Sequence, residues 1–435
     1  MHNQKVSKWL SERHSSFFTI YTILAAFGTY SCMYAFRKPF AVATFDQLEI
    51  WGVSYKVLLI IAQIIGYALS KFVGIKVVSE MTGEKRAISI LLLIGISGLA
   101  LFLFAITPVY WNIIFLFLNG LPLGMVWGLV FSYLEGRRFT EVLGAGLSIS
   151  FIFSSGFVKS IGSYLMLSWG ISEFWMPFTT GILFAGPLVL FIWMLDQVPP
   201  PSDLDVKLRT ERMPMKGKDR LRFFKAFSLG LIMLIIVYTL LTVLRDFRDN
   251  FAAEIWQTLG YGDSPDIFTR TEVPISLAIL VILGSLMAIK SNFKALIVNH
   301  LIILVGVLTV GAGTFAFEQA LIGPVSWMIC IGFGLYLAYV PFNSIFFDRL
   351  IAAFKYVSNV GFLIYLADAF GYLGSVGVLF YKEFAFAELS WLNFFVKSCY
   401  IMSLAGGFMI ATSLVYFLLK YQQWDPVLID DTSQK

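Results

Sequence analysis

Two arginines stand near the ends of long apolar segments, and each follows a tyrosine by seven residues. Arg37 follows Tyr30 in "GTYSCMYAFRKPF", and Arg245 follows Tyr238 in "VYTLLTVLRDFRDNF". Seven residues make two helical turns, so each tyrosine lies on the same helix face as its arginine. A guanidinium binds a phosphate or a carboxylate through two parallel hydrogen bonds. The spacing therefore indicates two matching stripes that are suited to an anionic ligand.

Position alone allows two interpretations of the cationic pair Arg37 and Lys38. A cation at the end of a membrane helix can extend into the lipid headgroups as an anchor, whereas a cation that faces a cavity can bind a ligand. Tyr34 joins Tyr30 and Arg37 at i, i+4 and i+7, which favours a binding role for Arg37. Lys38 points about 100° away from Arg37 and fits better as an anchor.

Arg248 lies one turn after Arg245 and has Asp246 and Asp249 beside it. A local ion network therefore competes with a binding role for Arg248. For Arg245, we interpret the anion of a substrate as the natural partner.

Two further charges lie deeper in apolar segments, Lys159 in "SSGFVKSIGSYLM" and Asp368 in "FLIYLADAFGYLGS". A charge at mid-membrane costs about 2.5–3.5 kcal/mol on insertion scales, so such a residue is usually paired or functional. Either the two neutralise each other, or Asp368 is a coupling site for a proton or another cation. A polar stripe on one helix face contains Asp368 together with Tyr365, Tyr372 and Ser375.

Transmembrane helices must position these residues. The chain of 435 residues is 58% hydrophobic and 14% charged, against about 25% charged in soluble domains. A span needs roughly 20 apolar residues, and the apolar N-terminal run is interpreted as a retained helix. The predicted spans are approximately 17–38, 54–78, 86–106, 110–134, 142–167, 174–195, 224–248, 271–289, 294–317, 322–347, 355–381 and 392–419.

One long polar stretch divides the chain. Residues 196–223 are Pro-rich and basic, which predicts an N-terminal six-helix bundle over 1–195, a cytoplasmic basic linker over 196–223 and a C-terminal six-helix bundle over 224–435. The distribution of Lys and Arg places both termini in the cytoplasm. The predicted fold is an all-α polytopic membrane protein with twelve helices in two pseudo-symmetric bundles.

Several classes of function are not indicated. Cys32, Cys330 and Cys399 lie in apolar segments without CxxC spacing, and the three His residues are scattered. No nucleotide-binding or hydrolase motif occurs. We therefore expect no enzyme activity, no metal and no cofactor. The net charge of +5 reflects membrane topology and not a nucleic-acid surface, and we expect a monomer in the lipid bilayer.

Short segments in both halves resemble one family. "YSCMYAFRKPFAVA", "YALSKFVG", "GLPLGMVWG", "VYTLLTVLRD", "GFGLY" and "FGYLGS" are similar, in order, to the first, second, fourth, seventh, tenth and eleventh helices of the organophosphate:phosphate antiporters. That branch of the major facilitator superfamily contains the glycerol-3-phosphate and hexose-phosphate transporters. The resemblance implies the major facilitator fold and a central cavity that opens alternately to each side of the membrane.

The resemblance also implies that Arg37 and Arg245 clamp the phosphate of the substrate. The further substrate-binding candidates are Lys38, Tyr30, Tyr34, Lys71, Tyr238, Tyr336 and Arg248. In the fifth helix the family carries a His beside an Asn, and this sequence has Ser154 and Ser155 at that place. This difference marks the sequence as a divergent member.

The loop after the second helix, "SEMTGEKR", offers Glu80, Lys85 and Arg86 as an altered form of the gating cluster of the superfamily.

The expected function is secondary transport of an anionic organic solute, a phosphorylated metabolite above all, in a bacterial inner membrane. One alternative is proton-coupled symport of a carboxylate or a neutral nutrient through Asp368. The other is a transporter-like membrane sensor without flux. In that case residues 196–223 and the acidic tail "DPVLIDDTSQK" are either partner surfaces or solvated linkers.

Overall fold

The computed structural model confirms twelve helices that are long and apolar enough to cross a membrane among the residues it describes. These residues are 2–46, 48–81, 83–135, 137, 140–201, 217–286, 288–355, 360–385 and 388–423. In chain order, spans 1 to 12 are Ser15–Tyr34, Tyr55–Glu80, Gly83–Ile106, Ile113–Phe131, Thr140–Trp169, Met176–Asp196, Ser228–Asn250, Ile267–Leu286, Asn292–Glu318, Pro324–Ser344, Val360–Ala385 and Trp391–Gln422.

Shorter elements connect the spans. They are the helices Gln4–Ser11, Gly217–Ala226, Ala252–Thr258 and Phe346–Phe354, a 3-10 turn at Pro39–Val42 and a hairpin of Glu49–Ile50 with Val53–Ser54. Gly217–Ala226 is helical, although its first seven residues fall in the stretch that the sequence predicts to be a linker. The rest of that basic stretch from 202 to 216, and the acidic tail from 424 onward, lie outside the described residues.

Span 1 ends at Tyr34, earlier than the predicted end at residue 38. The amides of Ala35, Phe36 and Arg37 each bond to the carbonyl three residues before, at 3.0–3.1 Å, which tightens the last turn. Pro39 lacks an N–H group and so cannot continue the helical ladder. The cationic pair therefore lies on a compact turn after the helix.

Large apolar side chains cover the outside of the spans. Val281, Leu373 and Leu404 are 72%, 69% and 76% exposed, which would be unfavourable in water but fits contact with lipid tails. The chain is therefore an integral membrane protein.

The chain forms two compact units. Unit 1 contains Met1–Arg209, Asp246–Leu280 and Val376–Phe394, and unit 2 contains Thr210–Arg245, Val281–Ser375 and Phe395–Lys435. These boundaries cut through spans 7, 8, 11 and 12 and do not test the division predicted at residues 196–223, which stays a prediction.

Spans 2 and 4 touch backbone to backbone in the core of unit 1. A Cβ atom added at Gly124 would lie 2.6 Å from the carbonyl oxygen of Tyr67, and one at Gly120 would lie 3.1 Å from the amide nitrogen of Tyr67. Only glycine permits this approach. The close approach fixes the part of span 2 that carries Tyr67.

Unit 2 uses the same device. Gly306 of span 9 and Gly334 of span 10 face each other, and a Cβ atom on either would come within 2.5 Å of the carbonyl oxygen of the other. The close approach orients span 10, on which Tyr336 and Tyr339 are buried.

Candidate functional site

In unit 1, Arg37 lies on an aromatic platform. Its guanidinium carbon is 3.8 Å from the ring centroid of Tyr67. The rings of Tyr30 and Tyr34 meet edge to face at 5.4 Å, and Tyr30 hydrogen-bonds Tyr67. Arg37 itself is half-buried, whereas these tyrosines are buried. The structure thus brings together the three residues that the sequence aligns on one face and adds Tyr67.

In unit 2, Arg245 occupies a similar setting. Its guanidinium carbon is 4.4 Å from the ring centroid of Tyr339, and the ring of Tyr238 stacks on Tyr339 at 5.2 Å. The Tyr238 hydroxyl donates to Asp368 over 2.5 Å and lies 3.3 Å from the side-chain oxygen of Asn343. Arg245 is half-buried, like Arg37.

These two groups share a chemical design. A ring against the flat face of a guanidinium contributes a cation–π contact and leaves the N–H edge available for hydrogen bonds. That edge is the part of the side chain that forks onto a phosphate or a carboxylate.

The two ring partners, Tyr67 and Tyr339, are not among the residues predicted from the sequence. Tyr67 lies one helical turn before the candidate Lys71, and Tyr339 lies three residues after the candidate Tyr336. A tyrosine on an apolar span one turn from a candidate residue is the signal that would have identified them.

A second cluster in unit 1 centres on the carboxylate of Asp249. Lys159 contacts it over 2.6 Å, and Lys38 and the Ser155 hydroxyl are further direct partners. Lys38 also donates to the side-chain oxygen of Asn250 over 3.2 Å. Because only 6% of Lys38 is exposed, its interpretation as an interfacial anchor is wrong.

Within each unit, the deeper charges have polar partners. Lys159 donates to Asp249 in unit 1, and Asp368 accepts from Tyr238 in unit 2. Arg248 donates to Glu272 of span 8 over 2.6 Å. The sequence instead indicates a local ion network of Arg248 with Asp246 and Asp249. Glu272 lies near the beginning of span 8. A charge near the end of a span is common, so its position in the sequence does not mark it as a candidate.

A further ion pair of unit 1 joins Lys56 and Glu254 over 2.5 Å, and Lys56 also donates to the carbonyl oxygen of Ala41 over 2.9 Å. Burial raises the pKa of Glu254 above its ordinary value, the nearby charge of Asp46 adds to the rise, and the ammonium of Lys56 opposes it. Burial is the largest of these causes.

This raised pKa predicts a pH-dependent stability. Between the ordinary carboxyl pKa of 4.5 and the raised one, the folded chain binds more protons than the unfolded chain. The contribution of Glu254 to the free energy of unfolding therefore falls as pH rises through that window. We expect Glu254→Gln to remove this contribution, measured as unfolding midpoints in detergent from about pH 4 to about pH 8. Glu49→Gln, at an exposed site, is the control, and parallel curves for wild type and Glu254→Gln would contradict the prediction.

The remaining candidates are dispersed. Lys71 is half-buried, 5.6 Å from the Tyr67 ring, and Tyr336 is buried in unit 2. Of the stripe on span 11, Tyr372 and Ser375 are buried, but Tyr365 is exposed.

The predicted gating residues are described in part. Lys85 is exposed, and Arg86 donates to the carbonyl oxygen of Ser132 over 3.2 Å. The side chain of Glu80 lies outside the described residues. Within the described part of the chain, no group of His, Cys, Asp and Glu is arranged to hold a metal.

Comparison with solved structures defines the class of fold. The chain matches a D-xylose-proton symporter at 14% identity, with a TM-score of 0.57 over 92% of this chain and 97% of that one. It matches a mutant of the nucleoside transporter NupG at 16% identity and TM-score 0.59 over 92% and 99%. It matches the POT family transporter PepTSo at 12% identity and TM-score 0.56 over 94% and 98%. The fold is that of the major facilitator superfamily, as predicted.

The chain belongs to the family of unknown function DUF5690, whose model matches residues 39–420. Among curated proteins no match was found.

Proposed function

We propose that this protein is a secondary transporter of an anionic organic solute, and that Arg37 and Arg245 are its anion ligands. The observation that carries the proposal is the paired setting of the two arginines. Each is half-buried and rests on a tyrosine ring, and each follows another buried tyrosine by seven residues. A transport role is supported by the fold, since the three structural relatives are described as a symporter and two transporters.

A phosphorylated metabolite is the solute class that we propose. Two guanidinium groups, each able to form a two-pronged hydrogen bond, match the charge and the several oxygen atoms of a phosphate better than those of a neutral sugar. The resemblance of the segments around Arg37 and Arg245 to the organophosphate antiporters points to the same class. We further propose exchange as the transport mode, a bacterial inner membrane as the location and cytoplasmic termini.

Counterflow in proteoliposomes tests this proposal. Vesicles loaded with inorganic phosphate, a hexose phosphate, glycerol phosphate or a dicarboxylate are compared with vesicles loaded with D-xylose or uridine. We expect exchange for phosphate-containing solutes alone. Exchange of a neutral solute without exchange of any anion would overturn the proposal, and binding of an anion without flux would favour the sensor instead.

One observation favours a second candidate, proton-coupled symport. Asp368 is buried, and its carboxylate accepts from the Tyr238 hydroxyl over 2.5 Å, so a proton on Asp368 would change the bonding of the tyrosine beside Arg245. If Asp368 carries the coupling proton, Asp368→Asn should abolish uptake driven by a proton gradient and spare exchange. Equal activity of variant and wild type in both assays would remove Asp368 from the mechanism.

A further inference from the structure

Buried side-chain amides from two other helices hold the turn that carries Arg37. The side-chain nitrogen of Asn119 donates to the carbonyl oxygen of Phe36 over 2.9 Å, and that of Gln63 donates to the carbonyl oxygen of Arg37 over 3.0 Å. Carbonyls at the end of a helix lack a partner within the helix, and burying them unbonded is unfavourable. Span 4 and span 2 supply the missing donors.

The two amides are bonded to each other and to a third helix. Gln63 donates to the side-chain oxygen of Asn119 over 2.8 Å, and Asn119 donates to Ser97 of span 3, both to its carbonyl oxygen over 3.2 Å and to its hydroxyl over 2.5 Å. All three side chains are buried. We call Gln63, Ser97 and Asn119 the amide hub.

An apolar contact fixes the same turn from another direction. The ring of Phe36 lies against Gly98 of span 3 and Gly181 of span 6, where an added Cβ atom would stand 3.1 Å and 2.8 Å from the ring. Phe36 therefore occupies a slot that a larger residue at either glycine would narrow. The turn is held by hydrogen bonds at its carbonyls and by packing at its side chain.

Span 2 contacts Arg37 twice. Gln63 binds the carbonyl of Arg37, and Tyr67, one helical turn further along the same face, lies against its guanidinium at 3.8 Å. Backbone and side chain of Arg37 are thus held by one rigid helix. A loss of the first contact would let the guanidinium move relative to the ring.

We propose that the amide hub positions Arg37 for anion binding. The inference rests on the proposed function of Arg37 as an anion ligand. Gln63, Ser97 and Asn119 act through the backbone of the turn, so they are positioning residues. A binding group has to be held within about 0.5 Å of its productive geometry, and in enzymes a misplacement of about 1 Å can cost on the order of a hundredfold in rate.

The first measurement follows Arg37 directly and needs no substrate. Purified protein is treated with phenylglyoxal, and peptide mass spectrometry compares modification of Arg37 with that of the exposed Arg13 in the same sample. Gln63→Met and Asn119→Leu remove the amides at similar volume, and we expect each to raise the Arg37 to Arg13 ratio several-fold.

Modification of Arg245 in unit 2 should stay unchanged in both variants. The matched control is Asn299→Leu, because Asn299 is also buried but its amide donates to the carbonyl oxygen of Ala295 in its own helix, over 2.7 Å. This control should leave the Arg37 ratio at the wild-type value.

The second measurement is the affinity for inorganic phosphate, read from thermal shifts. The hub variants should bind phosphate on the order of tenfold to a hundredfold more weakly than wild type. If wild type binds neither inorganic phosphate nor a hexose phosphate, glycerol phosphate or a dicarboxylate, while the hub variants still raise the Arg37 ratio, the proposed function fails and the positioning role stands.

An unchanged Arg37 ratio in Gln63→Met and Asn119→Leu overturns the positioning role, whatever phosphate does. If both variants fail to fold, Ser97→Ala decides, because it removes only the hydroxyl that Asn119 contacts. A rise in the ratio in Ser97→Ala supports the positioning role, and no rise overturns it.

Discussion

Replacing Asp249 by alanine is expected to lower the free energy of unfolding by about 3–5 kcal/mol, because the change leaves two buried ammonium groups without their carboxylate. The side chains of Lys38 and Lys159 are 7% and 4% exposed, and both contact this one acid. Lys38 would retain the side-chain oxygen of Asn250, and Lys159 the backbone carbonyl of residue 249. Neutral acceptors compensate a buried charge only in part.

Unfolding in detergent, followed by tryptophan fluorescence with increasing denaturant, measures this loss. The matched control is Asp263→Ala at an exposed loop position, which should change stability by no more than about 0.5 kcal/mol. A triple variant, Lys38→Met with Lys159→Met and Asp249→Leu, should regain much of the lost stability, because replacing a whole buried ion group by apolar side chains is often neutral. Equal stability of Asp249→Ala and Asp263→Ala would contradict the prediction.

The ion pairs of unit 1 also change the interpretation of the cationic interior. The sequence places several cations in or at the ends of the apolar segments, among them Lys38, Lys159 and Arg248. The structure places an acid beside each of these three, Asp249 for the two lysines and Glu272 for Arg248. Arg37 and Arg245 differ from these three in that the guanidinium of each lies against a tyrosine ring. The proposed anion ligands are therefore these two and not the cationic residues as a group.

The spans were predictable from sequence because length and hydropathy alone decide them. Predicted limits such as 86–106 and 294–317 lie within three residues of Gly83–Ile106 and Asn292–Glu318. The end of span 1 was missed because hydropathy continues through Phe36, while the helical ladder stops before Pro39.

The partners of the charges were not predictable in the same way. Asp249 lies 90 residues from Lys159 along the chain, and helical periodicity relates only residues within one span. The tyrosine–arginine spacing relates residues of one chain segment: Tyr238 and Arg245 share span 7, and Arg37 lies on the turn directly after span 1. Tyr67 and Tyr339, which complete the two clusters, come from other helices, so their contacts with the arginines depend on tertiary structure.

The largest functional effect is expected from removing either arginine. Arg37→Ala and Arg245→Ala should each reduce phosphate-ester exchange by roughly 10- to 150-fold, since a hydrogen bond to a charged group contributes about 1.5–3 kcal/mol. Arg37→Lys and Arg245→Lys should fall between alanine and wild type. A lysine keeps the charge but loses both the two-pronged hydrogen bond and the flat face that rests on Tyr67 or Tyr339.

Initial exchange rates in proteoliposomes, corrected for the amount of folded protein, measure these effects, and Arg13→Ala supplies the matched control. Arg13 also lies over an aromatic ring, that of Trp9 at 4.3 Å, but it is exposed in the N-terminal segment, so its removal should leave exchange unchanged. Full exchange activity in both single alanine variants would refute the assignment of Arg37 and Arg245 as anion ligands.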